Sequence, residues 1–219
     1  MMRYSRYAGT SNIGVFTAVN ESVAFIAADA APEFVKDVEE ALQVKTQLMT
    51  VAGSFVIGSL VVMNSNGAVV SGLADPREVE IISSFLPCTL IEDTLNAAGN
   101  NILANDNGAI VNPEYSDEMV KLISDALGVE CVRASISGIN TVGSICKATN
   151  KGCVCHVDAS DEEIKLIQDV LKVESIRSTV NHGARMVGAG ILANSKGALI
   201  GDDTTPIEMG KIEEGLALY

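Results

Sequence analysis

The sequence predicts an α/β fold in which five degenerate strand–helix units, each about 44 residues long, close into a ring. Three observations carry that reading. A glycine step recurs five times; a second glycine landmark and a helix start follow it at matching offsets; and the two chain ends each hold part of one unit.

The step is a small residue, Gly, four residues, then Gly or Ala. It reads Ala8-Gly9…Gly14, Ala52-Gly53…Gly58, Ala98-Gly99…Ala104, Ser137-Gly138…Gly143 and His182-Gly183…Gly188. The first glycines lie 44, 46, 39 and 45 residues apart, and the short interval puts a deletion in the hairpin between Gly99 and Gly108. Next come Asn66-Gly67, Asn107-Gly108, Lys151-Gly152 and Lys196-Gly197, with Asn20-Glu21-Ser22 in that place in the first unit. These predict tight hairpin turns, whose positive φ Gly and Asn tolerate. Helix starts follow. Asp75-Pro76-Arg77-Glu78, Ser160-Asp161-Glu162-Glu163 and Thr205-Pro206-Ile207-Glu208 are capping boxes, while Pro32-Glu33 and Ser116-Asp117-Glu118 open the other two helices. Apolar residues then recur at helical spacing, as in Ile164, Ile167, Val170 and Leu171. A strand completes each unit: LGVECVR at 127–133 and LKVESIR at 171–177 repeat 44 residues apart.

Closure follows from the ends. The fifth unit finishes with its helix at Tyr219, and residues 2–8 form a strand with no helix before it. Together they complete one unit and leave no open sheet edge. The chain 1–219 is therefore read as one domain of units 9–52, 53–98, 99–137, 138–182 and 183–219, closed by strand 2–8.

Composition narrows the function. Hydrophobic residues are 47% and aromatics 4%, with no Trp, so Val, Ile, Leu and Ala must fill the core. The net charge is −13 and there is no Lys/Arg run, which argues against a phosphate backbone as partner and suits a basic protein. Five Cys without a secretory leader point to reduced thiols and a cytoplasmic protein. The longest apolar stretch, Val51 to Met63, is interrupted and too short to span a bilayer, so no membrane partner is expected.

With the repeats in register, the Ala98-Gly99-Asn100 step, Leu171-Lys172-Val173-Glu174 and Thr179-Val180-Asn181-His182-Gly183 together resemble the translation initiation factor six family, a branch of the pentein (α/β-propeller) superfamily. The resemblance spans the chain and, since the chain stops at the fifth helix, looks archaeal. It implies a factor that binds the large ribosomal subunit near the sarcin–ricin loop, chiefly through a basic L14-type protein. Such a factor blocks joining of the small subunit and attends large-subunit maturation. No cofactor or metal is implied, and a monomer is expected. At Ser59 the chain departs from eukaryotic members, which carry a basic residue there.

Residues after each glycine step are expected around one rim of the ring, where loops on a rigid scaffold carry function. They are Asn12, Ser54, Phe55, Asn100, Asn101, Asn140 and Arg185, with Ser11, Thr141 and Met186 beside them. Asn100 stands first, because the matching Gly-Asn step lies at the ribosome contact in the family. Against this, the glycines could serve turn geometry alone. Glu130 with Arg133 and Glu174 with Arg177 read as ion pairs between neighbouring units, or as charges in the channel. Cys153-Val154-Cys155-His156, near Cys146, reads as small buried hydrophobes, because one strand face cannot present a tetrahedral set. Gly188-Ala189-Gly190 imitates a dinucleotide fingerprint, but a hairpin rather than a helix is expected behind it. Two other readings share the fold. A guanidino-modifying enzyme would need a late Cys nucleophile, yet none follows Cys155; a non-ribosomal scaffold ring would bind no ribosome.

Overall fold

The computed structural model describes residues 1–219 and contains five three-stranded sheets, each with one helix. In the first unit, β2 (Thr17–Val19) pairs antiparallel with β3 (Val23–Ala27), α1 (Pro32–Leu42) crosses back, and β4 (Lys45–Met49) pairs parallel to β3. The pattern repeats in β5 (Val61–Met63), β6 (Ala68–Ser71), α2 (Pro76–Ser83) and β7 (Cys88–Ile91). It repeats again in β8 (Ile102–Ala104), β9 (Ala109–Val111), α3 (Asp117–Leu127) and β10 (Cys131–Arg133). The fourth unit holds β11 (Lys147–Ala148), β12 (Gly152–His156), α4 (Asp161–Leu171) and β13 (Glu174–Ser178). The fifth holds β14 (Ile191–Asn194), β15 (Gly197–Gly201) and α5 (Pro206–Gly215). Its outer strand comes from the other chain end: β1 (Met2–Ser5) pairs parallel with β15, Met2 opposite Ala198. Neighbouring inner strands touch all the way round, so the five sheets close into an α/β propeller, but each sheet keeps an unpaired edge on its inner and its outer strand, contrary to the edge-free ring expected.

The helices form where their caps and apolar spacing dictate. Asp75, Ser160 and Thr205 accept from the first-turn backbone while Glu78, Glu163 and Glu208 reach back, and Ser116 caps α3. Their buried stripes run i to i+4: Val38 and Leu42, Ile123 and Leu127, Ile167 and Leu171 are all wholly buried. Each such side chain stabilises the fold by about 1.5–3 kcal/mol. Left-handed C-caps at Gln43, Gly128 and Lys172 end α1, α3 and α4 and turn the chain into the outer strand.

A glycine from each unit closes the ring at its axis. Gly14, Gly58, Gly99, Gly143 and Gly188 sit in or beside one-turn helical segments that contact one another in a circle. A Cβ on any of them would overlap the backbone carbonyl of its neighbour's glycine. This corrects the register of the third unit. Gly99 matches Gly58, not Gly53, and every interval from axial glycine to hairpin glycine is nine residues, so the hairpin holds no deletion. The lost residues lie elsewhere. Ala68 pairs with Cys88, 20 positions on, where Ala109 pairs with Cys131, 22 on; the loop from Ile91 to Gly99 is also one residue shorter than that from Met49 to Gly58.

Two turn assignments exchange roles. Gly67, Gly108, Gly152 and Gly197 do not have positive φ; a Cβ there would strike the last turn of the next unit's helix. Positive φ occurs instead at the first glycines, in the consecutive pairs Ala8-Gly9, Ala52-Gly53, Ser137-Gly138 and His182-Gly183. Gly188-Ala189-Gly190 closes a one-turn helix, Val187–Gly190, and opens no longer one: the chain runs straight into β14 and turns back at Lys196-Gly197 in the expected hairpin.

Candidate functional site: the turn face

All connections from outer strand to inner strand, and all five helix N-termini, emerge at one end of the ring, here the turn face. The hairpins and helix C-termini emerge at the other. On the turn face, consecutive left-handed residues make tight turns bridged by Tyr7–Thr10, Val51–Ser54, Ile136–Ile139 and Val180–Ala184. The N–H groups of such a turn point the same way and form an anion-binding hollow.

In three units a glutamate fills that hollow. Glu78 accepts from Ala52 N (2.7 Å), Gly53 N (3.1 Å) and Thr50 Oγ1 (2.5 Å) while capping α2 through Asp75 N (2.8 Å). Glu208 does the same with Gly183 N (2.8 Å), His182 N (3.1 Å), Thr179 Oγ1 (2.6 Å) and Thr205 N (2.8 Å). Glu163 joins Ser137 N to Ser160 N. Burial alone would raise the Glu78 and Glu208 carboxyls, but the hydrogen bonds outweigh it: Glu78 is held below its usual range and Glu208 is brought down to about 2. The capping-box glutamate thus fixes helix start and surface turn together. The first unit has Phe34 in that position, and Tyr7 packs edge-on against it while stacking on Phe16. The third unit has no such turn; Tyr115 Oη and Asn101 Nδ2 hold the Leu95 carbonyl instead.

The structure therefore separates the candidate residues. Asn12, Phe55, Arg185 and Met186 are exposed after their turns; Phe55 is 42% and Met186 44% exposed. Ser54 and Thr141 are half-buried, and Ser11 is buried against Asp202 and Asp203. Asn140 donates to Glu114, and Arg185 pairs with Asp158. Asn100 and Asn101 leave the rim because their register changes. Both belong to the axial one-turn helix Ala98–Asn101, where Asn100 is half-buried. Asn101 is buried, and its amide is spent on Leu95, Ala97 and Asn112. Leu73 and Ile207, 68% and 78% exposed, belong to this face and lay outside the sequence pattern, since each is apolar at a helix-entry position with nothing to pack on.

Charge on this face is mostly negative. Glu33, Asp75, Glu114, Asp117, Glu118, Asp158, Asp161, Glu162, Asp202 and Asp203 are exposed there. Arg133 and Arg177 lie neither between units nor in the channel: each turns to its own helix, Arg133 to Asp117 and Arg177 to Asp161, and bonds the Tyr115 or Ala159 carbonyl. Arg6 binds Asp202 and Asp203. Cys146, Cys153 and Cys155 are buried together in one apolar cluster, where burial pushes the thiols up. His156 is buried and its Nδ1 accepts from Asp158 N. No helix is long and apolar enough to cross a membrane.

The eIF-6 family model matches residues 2–215. The chain belongs to the eIF-6 family. It is 46% identical over 208 residues to Translation initiation factor 6 of Archaeoglobus fulgidus, covering 95% of this chain and 96% of that one. With the factor of the same name from Methanosphaerula palustris it shares 40% over 214 residues, 98% and 97% of the two chains. The Thermoplasma acidophilum factor is 39% identical over 223 residues, 99% of this chain and 100% of the relative. Among solved structures, a mutant of DDAH from Pseudomonas aeruginosa complexed with citrulline is similar at TM-score 0.47 and 10% identity, over 75% of this chain and 69% of that one.

Proposed function

We propose that this member of a translation initiation factor family binds the large ribosomal subunit through its turn face and so prevents premature joining of the small subunit. One observation carries the reading: the turn face combines exposed apolar side chains, Phe55, Leu73, Met186 and Ile207, with an excess of exposed carboxylates. Such a surface fits a basic protein with an apolar patch, an L14-type protein near the sarcin–ricin loop, rather than bare RNA. The same occupancy gives it a part in large-subunit maturation. Of the sequence candidates, Asn12, Ser54, Phe55, Asn140, Arg185 and Asn100 remain proposed contacts, and Asn101 acts through the loop it holds.

The protein works as a plug and not as a catalyst. Its grouped thiols are buried and raised, which suits packing and not nucleophilic attack. It acts in the cytoplasm, as a monomer.

Cosedimentation with purified large subunits, paired with a subunit-joining assay, tests this. Binding that weakens with salt, together with inhibited joining, is expected. Protein left in the supernatant at low salt with intact large subunits would sink the reading.

A further inference from the structure

On the ring axis lies a cavity of about 90 Å³ to which every unit contributes, bounded at one end by the five axial glycines and at the other by the hairpins. The inner strands β2, β5, β8, β11 and β14 each pair on one side only, so their other edges face this space. Its titratable lining consists of Glu21 and Asp106 near the hairpins, Cys146, and Lys147. The carboxylates are already engaged across units. Glu21 accepts from Ser195 N and Oγ, and Asp106 from Ser65 N and Oγ and from Asn150 Nδ2.

Lys147 is different. No carboxylate lies within 4.0 Å of its ammonium. The side chain is half-buried in the cavity wall, and burial pushes the group down to about 8. The fold does not require a lysine there, since the matching positions hold Ala18, Val62, Leu103 and Leu192. A partly desolvated ammonium without a counter-charge is less stable than one in water, and it is relieved by losing its proton or by gaining an anion. The cavity has room for the second course.

We infer that the axial cavity is a binding site for one small oxyanion, of phosphate or carboxylate type, held by the Lys147 ammonium and the free inner-strand edges. The anion binds the protonated amine, so it raises that amine's titration midpoint; affinity is full below about pH 8 and falls as pH rises through it. Burial pushes the Cys146 thiol up, so it stays neutral across that range and adds no second step.

The test is to titrate the intact protein with inorganic phosphate, and separately with acetate, against chloride at equal ionic strength. The Lys147 side-chain NMR signal and the melting temperature are followed for wild type and Lys147→Met. At ten times its Kd, the bound anion should raise the wild-type melting temperature by about 3–6 °C. It should also move the Lys147 titration midpoint upward, while Lys147→Met responds to neither anion. A response to either anion confined to the wild type supports the site, and the anion that acts tells tetrahedral from planar. An equal rise in both proteins means an adventitious ion only and overturns it. So does a Lys147 signal indifferent to both anions, which can be read on the wild type even if the variant fails to fold.

Discussion

The two ends of the ring put their side chains to opposite purposes, amides at one and carboxylates with exposed apolar groups at the other. On the hairpin face the amides are turned inward, unit to unit. Asn64 donates to the Asn105 carbonyl (3.2 Å) and to the end of α3 at Leu127 (2.8 Å). Asn105 repeats this on Thr149 (3.0 Å) and Leu171 (2.9 Å), and Asn194 on Asn20 (3.2 Å) and Leu42 (2.9 Å). Asn20 donates to Asn64 (2.8 Å). Each belt Asn also ties its own hairpin, as Asn194 Oδ1 does for Lys196 N and Gly197 N. On the turn face, by contrast, carboxylates cap their own unit's helix and turn, and apolar side chains stand out with nothing to pack on. One face holds the ring closed, which leaves the other free to meet a partner. Stability and binding should therefore be separable by face.

The largest effect should come from breaking the hairpin belt. Asn194→Ala removes donors to two carbonyls at the seam nearest the chain ends and the acceptor for its own turn. A loss of about 3 kcal/mol is expected in chemical denaturation, because buried partners are left unsatisfied. Ribosome affinity of the folded fraction should not change.

A turn-face clamp comes second. The folded carboxyl of Glu208 sits at about 2, below its ordinary 4.5, so its contribution is full above about pH 4.5 and disappears as pH falls toward 2. Glu208→Gln should cost about 2 kcal/mol at neutral pH and flatten the acid limb of the stability profile. An unchanged acid limb would remove the clamp from the account.

A smaller gain should come from repairing the belt. It is broken only between the fourth and fifth units, where Thr149 stands in the asparagine position and bonds within its own hairpin. Thr149→Asn should add about 1 kcal/mol and slow hydrogen exchange in β11 and β14. Smallest of all, Arg185→Ala removes an exposed pair with Asp158, with a cost below about 0.5 kcal/mol.

Much of this could be seen in the sequence because the repeat is written in residues with few substitutes. The capping boxes at Asp75, Ser160 and Thr205 and the split fifth unit pointed directly to helices and closure. What misled was that glycine records two different constraints with one letter. At Gly53 it permits a left-handed turn, whereas at Gly58 and Gly99 it permits contact between neighbouring backbones, and no spacing rule tells these apart without the neighbour. Spacing alone therefore puts Asn100 and Asn101 on the rim, where the structure does not. The sequence also carries a signal for the belt. Asn64, Asn105 and Asn194 each stand three residues before a hairpin glycine, an N-x-x-G period that marks the belt. The double duty of Glu78 and Glu208 was hidden because it joins residues 25 and more apart that only the closed unit brings together.

The separation of faces is tested most directly by equilibrium binding to purified large subunits for two folded variants. Phe55→Ser with Met186→Ser strips apolar area from the turn face; Lys151→Ala with Lys172→Ala alters the hairpin face to a similar extent. The first should bind about tenfold more weakly, a loss of ~1.4 kcal/mol, with unfolding stability close to wild type. The second should bind within about twofold of wild type. Weakened binding by the lysine variant, with the turn-face variant unaffected, would contradict the account.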